Sequence, residues 1–295
     1  PLPDQGELDY APVKTKLLLG MLHLPLLPGS PRSRLPLGAV ESRLLSDARI
    51  LAEAGFDAAI LENYGDVPFR KERVDPVTVA AMTRLAVAAR AGAGAMRLGV
   101  NVLRNDAAAA LAIAFAVDAG FIRVNVHVGA TATDQGVIEG RAADTLRLRA
   151  SLGANVEIWS DVHVKHGTSL AHARIEGEAE DAVLRGLADA LIVSGRATGE
   201  PASLDEVRRV KALDLGVPVY VGSGVTEENL AEVLASCDGA VVGTALKEGG
   251  RYARVDCHEV EDTRFPHHQS RGTRAIIDAA IAITLGGGGP RTFAA

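Results

Sequence analysis

The chain is poor in cysteine, in aromatics and in any excess of positive charge, and each shortage excludes something. Its 295 residues include two cysteines, Cys237 and Cys257, and neither lies in a CxxC or a Cys/His spacing. That excludes a disulfide scaffold and a cysteine-held zinc module, and a reducing compartment is expected. Aromatics make up 4% of the sequence and the net charge is −6. A nucleic-acid partner would call for a basic stripe interleaved with aromatics, and none is present. The apolar runs are interrupted by charges well short of a membrane span. The opening PLPDQGELDYAPVK has no apolar signal core, so a cytoplasmic location is expected. GMLHLPLLPGSP, after the first apolar run, is not the glycine fingerprint of a dinucleotide site, and no cofactor is expected.

What is present is alternation. Apolar runs at 16–22, 57–62, 97–103, 121–127, 156–163, 188–194, 217–222 and 239–244 are separated by Ala/Leu-rich stretches of helical spacing such as SRLLSDARILAEAG. Strand–helix alternation implies an α/β fold with a parallel sheet. Eight units in about 270 residues match a single (β/α)8 TIM barrel better than an open doubly wound sheet. One domain over 1–295 is expected, with the barrel at about 14–285, a flexible N-terminal segment and a Gly-rich C-terminal tail. The rhyming connectors AGFDAAI and AGFIRVN each place a glycine where a helix end favours positive φ.

In a barrel, function gathers at the C-terminal strand ends. Read in order, those ends offer His23; Glu62 and Asn63; Asn101, Arg104 and Asn105; Arg123, Asn125 and His127; Asp161, His163, Lys165 and His166; Ser194; Gly222-Ser223-Gly224; and Gly243-Thr244. Period two puts Arg123, Asn125 and His127 on one face of the fourth strand, and Glu157, Trp159, Asp161 and His163 on one face of the fifth. Helices cover the outside of a barrel, so this face is expected in the lumen. Arg123 and Glu157, early in their strands, fit a buried structural ion pair. Asn101 and Asn125 fit either substrate binding or loop-orienting hydrogen bonds, and His23 either substrate binding or a turn cap. Asp161 with His163 fits acid–base work. DVHVKH holds metal-ligand residue types, but adjacent His and Asp on a strand serve more often as hydrogen-bonded structure, and no metal is expected.

The last two strands end in small residues. There, barrels often bind phosphate on backbone amides, so Gly222, Ser223, Gly224, Gly243 and Thr244, with Gly195, are the expected phosphate cradle. Glu62 and Asp161 are the expected acid/base pair, with His163 or Lys165 orienting the reacting oxygen. His23, Asn101, Arg123, Asn125, His127 and Ser194 are the expected substrate contacts. Lys165 has inward parity but lies past the expected strand end, which disfavours a Schiff-base role.

GMLHLPLLPGSP (20–31), LENYGDVPF (61–69), RVNVHVGA (123–130), DVHVKH (161–166), SGRATG (194–199) and GSGVTEENL (222–230) together resemble the BtpA/SgcQ family over about residues 14–260. Ala253-Arg254-Val255-Asp256 departs from that family's Asn-Pro-Val-Asp element. The resemblance implies a ribulose-phosphate-binding-type barrel. One branch is named for photosystem I accumulation and another sits among sugar-phosphate genes, and neither supplies a catalytic assignment.

The expected function is an enzyme acting on a small phosphorylated sugar or sugar-like substrate, as isomerase, lyase or C1 bond-processing enzyme. A nucleoside or phosphoribosyl C–N bond enzyme is one alternative. A non-catalytic assembly or regulatory factor with a ligand pocket is another. A homo-oligomer is compatible with this reading.

Overall fold

The computed structural model describes residues 16–171, 174–195 and 197–246. The expected extension of the barrel to about 285, both terminal segments, Cys257 and the 253–256 departure lie outside those residues.

All eight expected strands form. They are β1 (Leu17–His23), β2 (Ala58–Glu62), β3 (Arg97–Asn101), β4 (Phe121–Val124), β7 (Glu157–Val162), β9 (Ala190–Val193), β10 (Val219–Val221) and β11 (Gly239–Val242). They close in the order β1-β2-β3-β4-β7-β9-β10-β11. The seam is β1 against β11, parallel, from Leu17 opposite Gly239 to Gly20 opposite Val242.

Three further strands went unread in the sequence. β5 (Ala130–Thr133) and β6 (Gly136–Glu139) form a hairpin after β4, and β8 (Gly167–Ser169) follows β7. They make a separate antiparallel sheet, β6-β5-β8. Its strands are three or four residues long and bury only Thr131 and Ile138, so no apolar alternation marks them.

The helices are α1 (Leu37–Ala54), α2 (Pro76–Gly92), α3 (Ala107–Ala116), α4 (Ala142–Ser151), α5 (Ile175–Glu180), α6 (Leu204–Ala212) and α7 (Leu230–Ser236). Their stripes follow helical spacing: Val40, Leu44, Ala48 and Leu51 are the buried residues of α1. Asp106 caps α3, its carboxylate accepting from Ala109 N–H. α1 ends on Gly55 in the left-handed region, at φ 92°. The rhyme with the second connector fails, because there Asp118, not Gly120, takes positive φ. Among the described residues no helix is long and apolar enough to cross a membrane.

Inside the barrel the lower lumen is a plug. Phe121 stacks on Trp159 at 3.7 Å between ring centroids, and Trp159 on Tyr220 at 4.7 Å. Leu19, Met21, Ile60, Ile192 and Val241 pack around them. β3 contributes Gly99 at this level because a Cβ there would lie 2.2 Å from the Phe121 ring. Burying each large side chain stabilises the fold by roughly 1.5–3 kcal/mol. The polar residues above this plug are therefore lifted toward the C-terminal mouth.

Glu157 sits at the opposite, N-terminal mouth. It pairs with Arg97 at 3.0 Å and accepts from Trp159 Nε1 at 2.8 Å. The expected Arg123–Glu157 pair is thus replaced by two others, Arg97–Glu157 and Arg123–Asp161. The physical reason is height: Arg123 pairs in register with Trp159, one inward position above Glu157, and its side chain reaches up the lumen.

Candidate active site

Above the aromatic plug is a cavity of about 930 Å³, with Met21 and Val241 in its lining. Glu62, ending β2, is buried there. Asn101 Nδ2 donates to its Oε2 at 2.7 Å, and His23 Nε2 lies 3.6 Å from Oε1. The His23 ring is itself stacked on Tyr64, 4.6 Å between centroids.

Asp161 and Arg123 form a bidentate pair across neighbouring strands β4 and β7. Arg123 Nε donates to Oδ1 at 2.9 Å and Nη2 to Oδ2 at 3.1 Å, while Asn125 Nδ2 also donates to Oδ2 at 2.7 Å. Burial lowers the Arg123 pKa, but the carboxylates of Asp161 and Glu62 outweigh it and hold the guanidinium above its ordinary value. With three donors on it, Asp161 is committed to fixing Arg123 and Asn125.

Lys165 enters the same cavity from the turn after β7. Its Nζ donates to the Gly222 carbonyl at 3.1 Å. Burial and the positive charge of Arg123 push its pKa down from 10.5 to about 8, partly opposed by Glu62 and Asp161. Arg104, buried in the cavity wall, donates from Nη2 to the Lys165 carbonyl at 2.6 Å. Desolvation lowers its pKa as well.

The glycine loop has two roles. Gly222 N–H donates to Val193 O at 2.7 Å, and Gly195 N–H to Ser223 Oγ at 2.7 Å, so both amides are committed to protein partners. Ser223 Oγ in turn donates to Glu200 O at 2.8 Å. Gly224 has φ 67°, and a Cβ there would meet the Pro201 backbone at 2.3 Å. Among the described residues, the N–H groups of Ser223, Gly224, Thr244 and Ala245 donate to no protein group. These four residues line the cavity with Gly243.

The structure thus brings His23, Glu62, Arg123, Asn125, Asp161, Lys165, Gly222, Ser223, Gly224, Gly243 and Thr244 to one cavity. Asn101 stands behind Glu62 as its hydrogen-bond donor. Four expectations are corrected. His127 leaves the lumen: its Nε2 lies 2.8 Å from Gly186 O, and burial lowers its pKa. His163 turns outward at φ 51° toward Glu206 of α6, 3.7 Å away. In both cases the strand has ended, at Val124 and Val162, so period two no longer dictates the face. Ser194 accepts from Arg123 Nη2 at 3.4 Å and lies where a Cβ on Gly222 would strike it, behind the cavity wall. Gly195, as above, has no N–H to offer an anion.

Tyr64, Phe69 and Arg104 line the cavity and had no role assigned from sequence. Arg104 stood among the strand-end residues, and its position was the only signal. Among the described residues no three His, Cys, Asp or Glu side chains gather as a metal site.

With this geometry, comparison with known proteins is informative. The chain is 48% identical over 240 residues to an uncharacterized protein of Thermococcus kodakarensis, covering 80% of this chain and 88% of that one. It is 44% identical over 233 residues to the photosystem I biogenesis protein BtpA of Synechocystis, covering 79% and 81%. The fold is similar to phosphoribosyl anthranilate isomerase from Thermus thermophilus, with a TM-score of 0.52 and 14% identity over 89% of this chain and 97% of that one. A sequence model of the BtpA family matches residues 14–264, and the chain belongs to the BtpA family.

Proposed function

We propose that this barrel is a cytoplasmic enzyme that moves protons on a small phosphorylated sugar or sugar-like substrate, in an isomerisation or a retro-aldol cleavage. One observation carries the reading. A lysine of pKa about 8 shares a single cavity with a buried carboxylate, Glu62, and with four backbone amides that have no protein acceptor among the described residues. The amides of Ser223, Gly224, Thr244 and Ala245 would take the phosphate, since converging backbone N–H groups not used by the protein suit an oxyanion. Glu62, held by Asn101 and flanked by His23, and Lys165 would exchange protons with the carbon skeleton, an amine of near-neutral pKa serving in either direction. Asp161 acts through Arg123 and Asn125, as a positioning residue.

The test uses a panel of aldose and ketose phosphates in D2O, with NMR reading deuterium uptake next to the carbonyl. Uptake should disappear in Glu62→Gln and Lys165→Met, while inorganic phosphate still binds. Gly243→Asp should abolish phosphate binding and Gly243→Ala should not, because a Cβ there meets nothing closer than 3.4 Å. A wild-type protein that neither binds phosphate nor exchanges any of the panel would refute the reading.

The second reading, a ligand-binding assembly factor, is favoured by the name of the Synechocystis relative. On that reading Gly243→Asp would impair the protein's role and Glu62→Gln would leave it intact.

A further inference from the structure

The cavity contains a cation that the proposed chemistry does not use. Arg104 is 5% exposed, and its Nε–H is buried without a hydrogen-bond partner. Its Nη2 holds the Lys165 carbonyl, and among the described residues no carboxylate lies within ion-pair distance of it. Asp161, Glu62 and Asp134 act on it only from farther away, and Arg123 repels it. Asp161 is already committed to Arg123, and Asp134 sits exposed on the β5–β6 turn at the rim. Among the charged side chains that line the cavity, Arg104, Arg123 and Lys165 face two buried carboxylates, Glu62 and Asp161, and the third, Asp134, is exposed at the mouth. A buried charge without a counter-charge is costly, and an anionic ligand would supply one to Arg104.

Position says which part of a ligand this is. In the closed ring β3 and β10 stand four places apart among eight, on opposite walls. Arg104 follows β3, the Ser223 and Gly224 amides follow β10, and the Thr244 and Ala245 amides follow the neighbouring β11. We infer that Arg104 forms a second anion seat across the lumen from the phosphate amides, and that the substrate carries a carboxylate at the end remote from its phosphate. A planar guanidinium edge matches a carboxylate. The phosphate end of this inference rests on the function proposed above, and the Arg104 seat rests on its own geometry.

Isothermal titration calorimetry at low ionic strength tests it with two pairs of probes. Each pair differs only by a carboxylate in place of a hydroxymethyl: 3-phosphoglycerate with glycerol 3-phosphate, and 6-phosphogluconate with glucitol 6-phosphate. In at least one pair the wild type should bind the carboxylate member about 10-fold tighter or more, as expected of a charge-assisted bond in a desolvated site. Arg104→Met should shrink that ratio to about 3-fold or less and leave the affinity of the hydroxymethyl member unchanged. Gly243→Asp should weaken both members alike. Equal wild-type affinities within both pairs, no binding of either carboxylate member, or an Arg104→Met loss shared equally by both members would each overturn the inference. If only the phosphate assignment were wrong, Gly243→Asp would leave both affinities intact while Arg104→Met still erased the difference. The wild-type comparison stands even if Arg104→Met does not fold.

Discussion

Replacing Lys165 by methionine should make the ligand-free protein more stable at neutral pH. The ammonium is held inside the cavity by one hydrogen bond, to Gly222 O at 3.1 Å. Its pKa falls from 10.5 to about 8 because burial and Arg123 disfavour the charged form. At about 1.4 kcal/mol for each tenfold, that cost is about 3 kcal/mol. A lowered folded pKa means the unfolded chain binds more protons between pH 8 and 10.5. Wild-type stability therefore rises with pH through that window, and the full cost is present below pH 8. Methionine keeps the apolar stem and removes the charge, at the loss of a hydrogen bond worth about 1 kcal/mol. Lys165→Met should then be more stable by about 2 kcal/mol at pH 7, with the advantage gone by about pH 10. Urea unfolding of both proteins at pH 7, 8.5 and 10, in phosphate-free buffer, measures the difference. A variant less stable than wild type at pH 7, or a difference that stays flat with pH, would refute the reasoning.

The Arg123–Asp161 pair should behave as one unit. Asp161→Asn leaves a buried guanidinium short of its counter-charge and should cost about 3–5 kcal/mol in chemical denaturation, whereas Arg123→Met with Asp161→Leu should recover most of it without recovering ligand binding. If Asp161→Asn is as stable as wild type, the pair is not what anchors this wall. His127 gives a second pH signature, in acid. Its folded pKa is lowered by burial, so the unfolded chain takes up the proton first and stability falls as pH drops below about 6.5. His127→Gln should flatten that acid limb in thermal unfolding between pH 7 and 5, and an unchanged limb would mean other groups set it.

The eight strands were legible because each is an apolar run bounded by helical spacing, a local property that survives without knowing any neighbour. Strand parity was equally legible while the strand lasted: Arg123 and Asp161 face inward as period two requires, and Trp159 fills the lumen below them. Past the last ladder hydrogen bond that logic stops. His127 and His163 share the parity of the lumen and turn away from it, while Lys165, beyond the strand, turns back in. The Gly-Ser-Gly turn was legible as a place where a side chain is not tolerated. Its division into amides used by the protein and amides left over depends on Val193 and Glu200, distant in sequence.

Composition and periodicity by themselves determined the barrel, its core and the end where polar groups collect, because these follow from burying an apolar face at a fixed repeat. Tertiary structure alone decided which carboxylate is locked to which cation. It also decided that Arg104 and Lys165 share one cavity without an ion-pair partner among the described residues, because electrostatic partnership depends on distances across the lumen that no local repeat encodes.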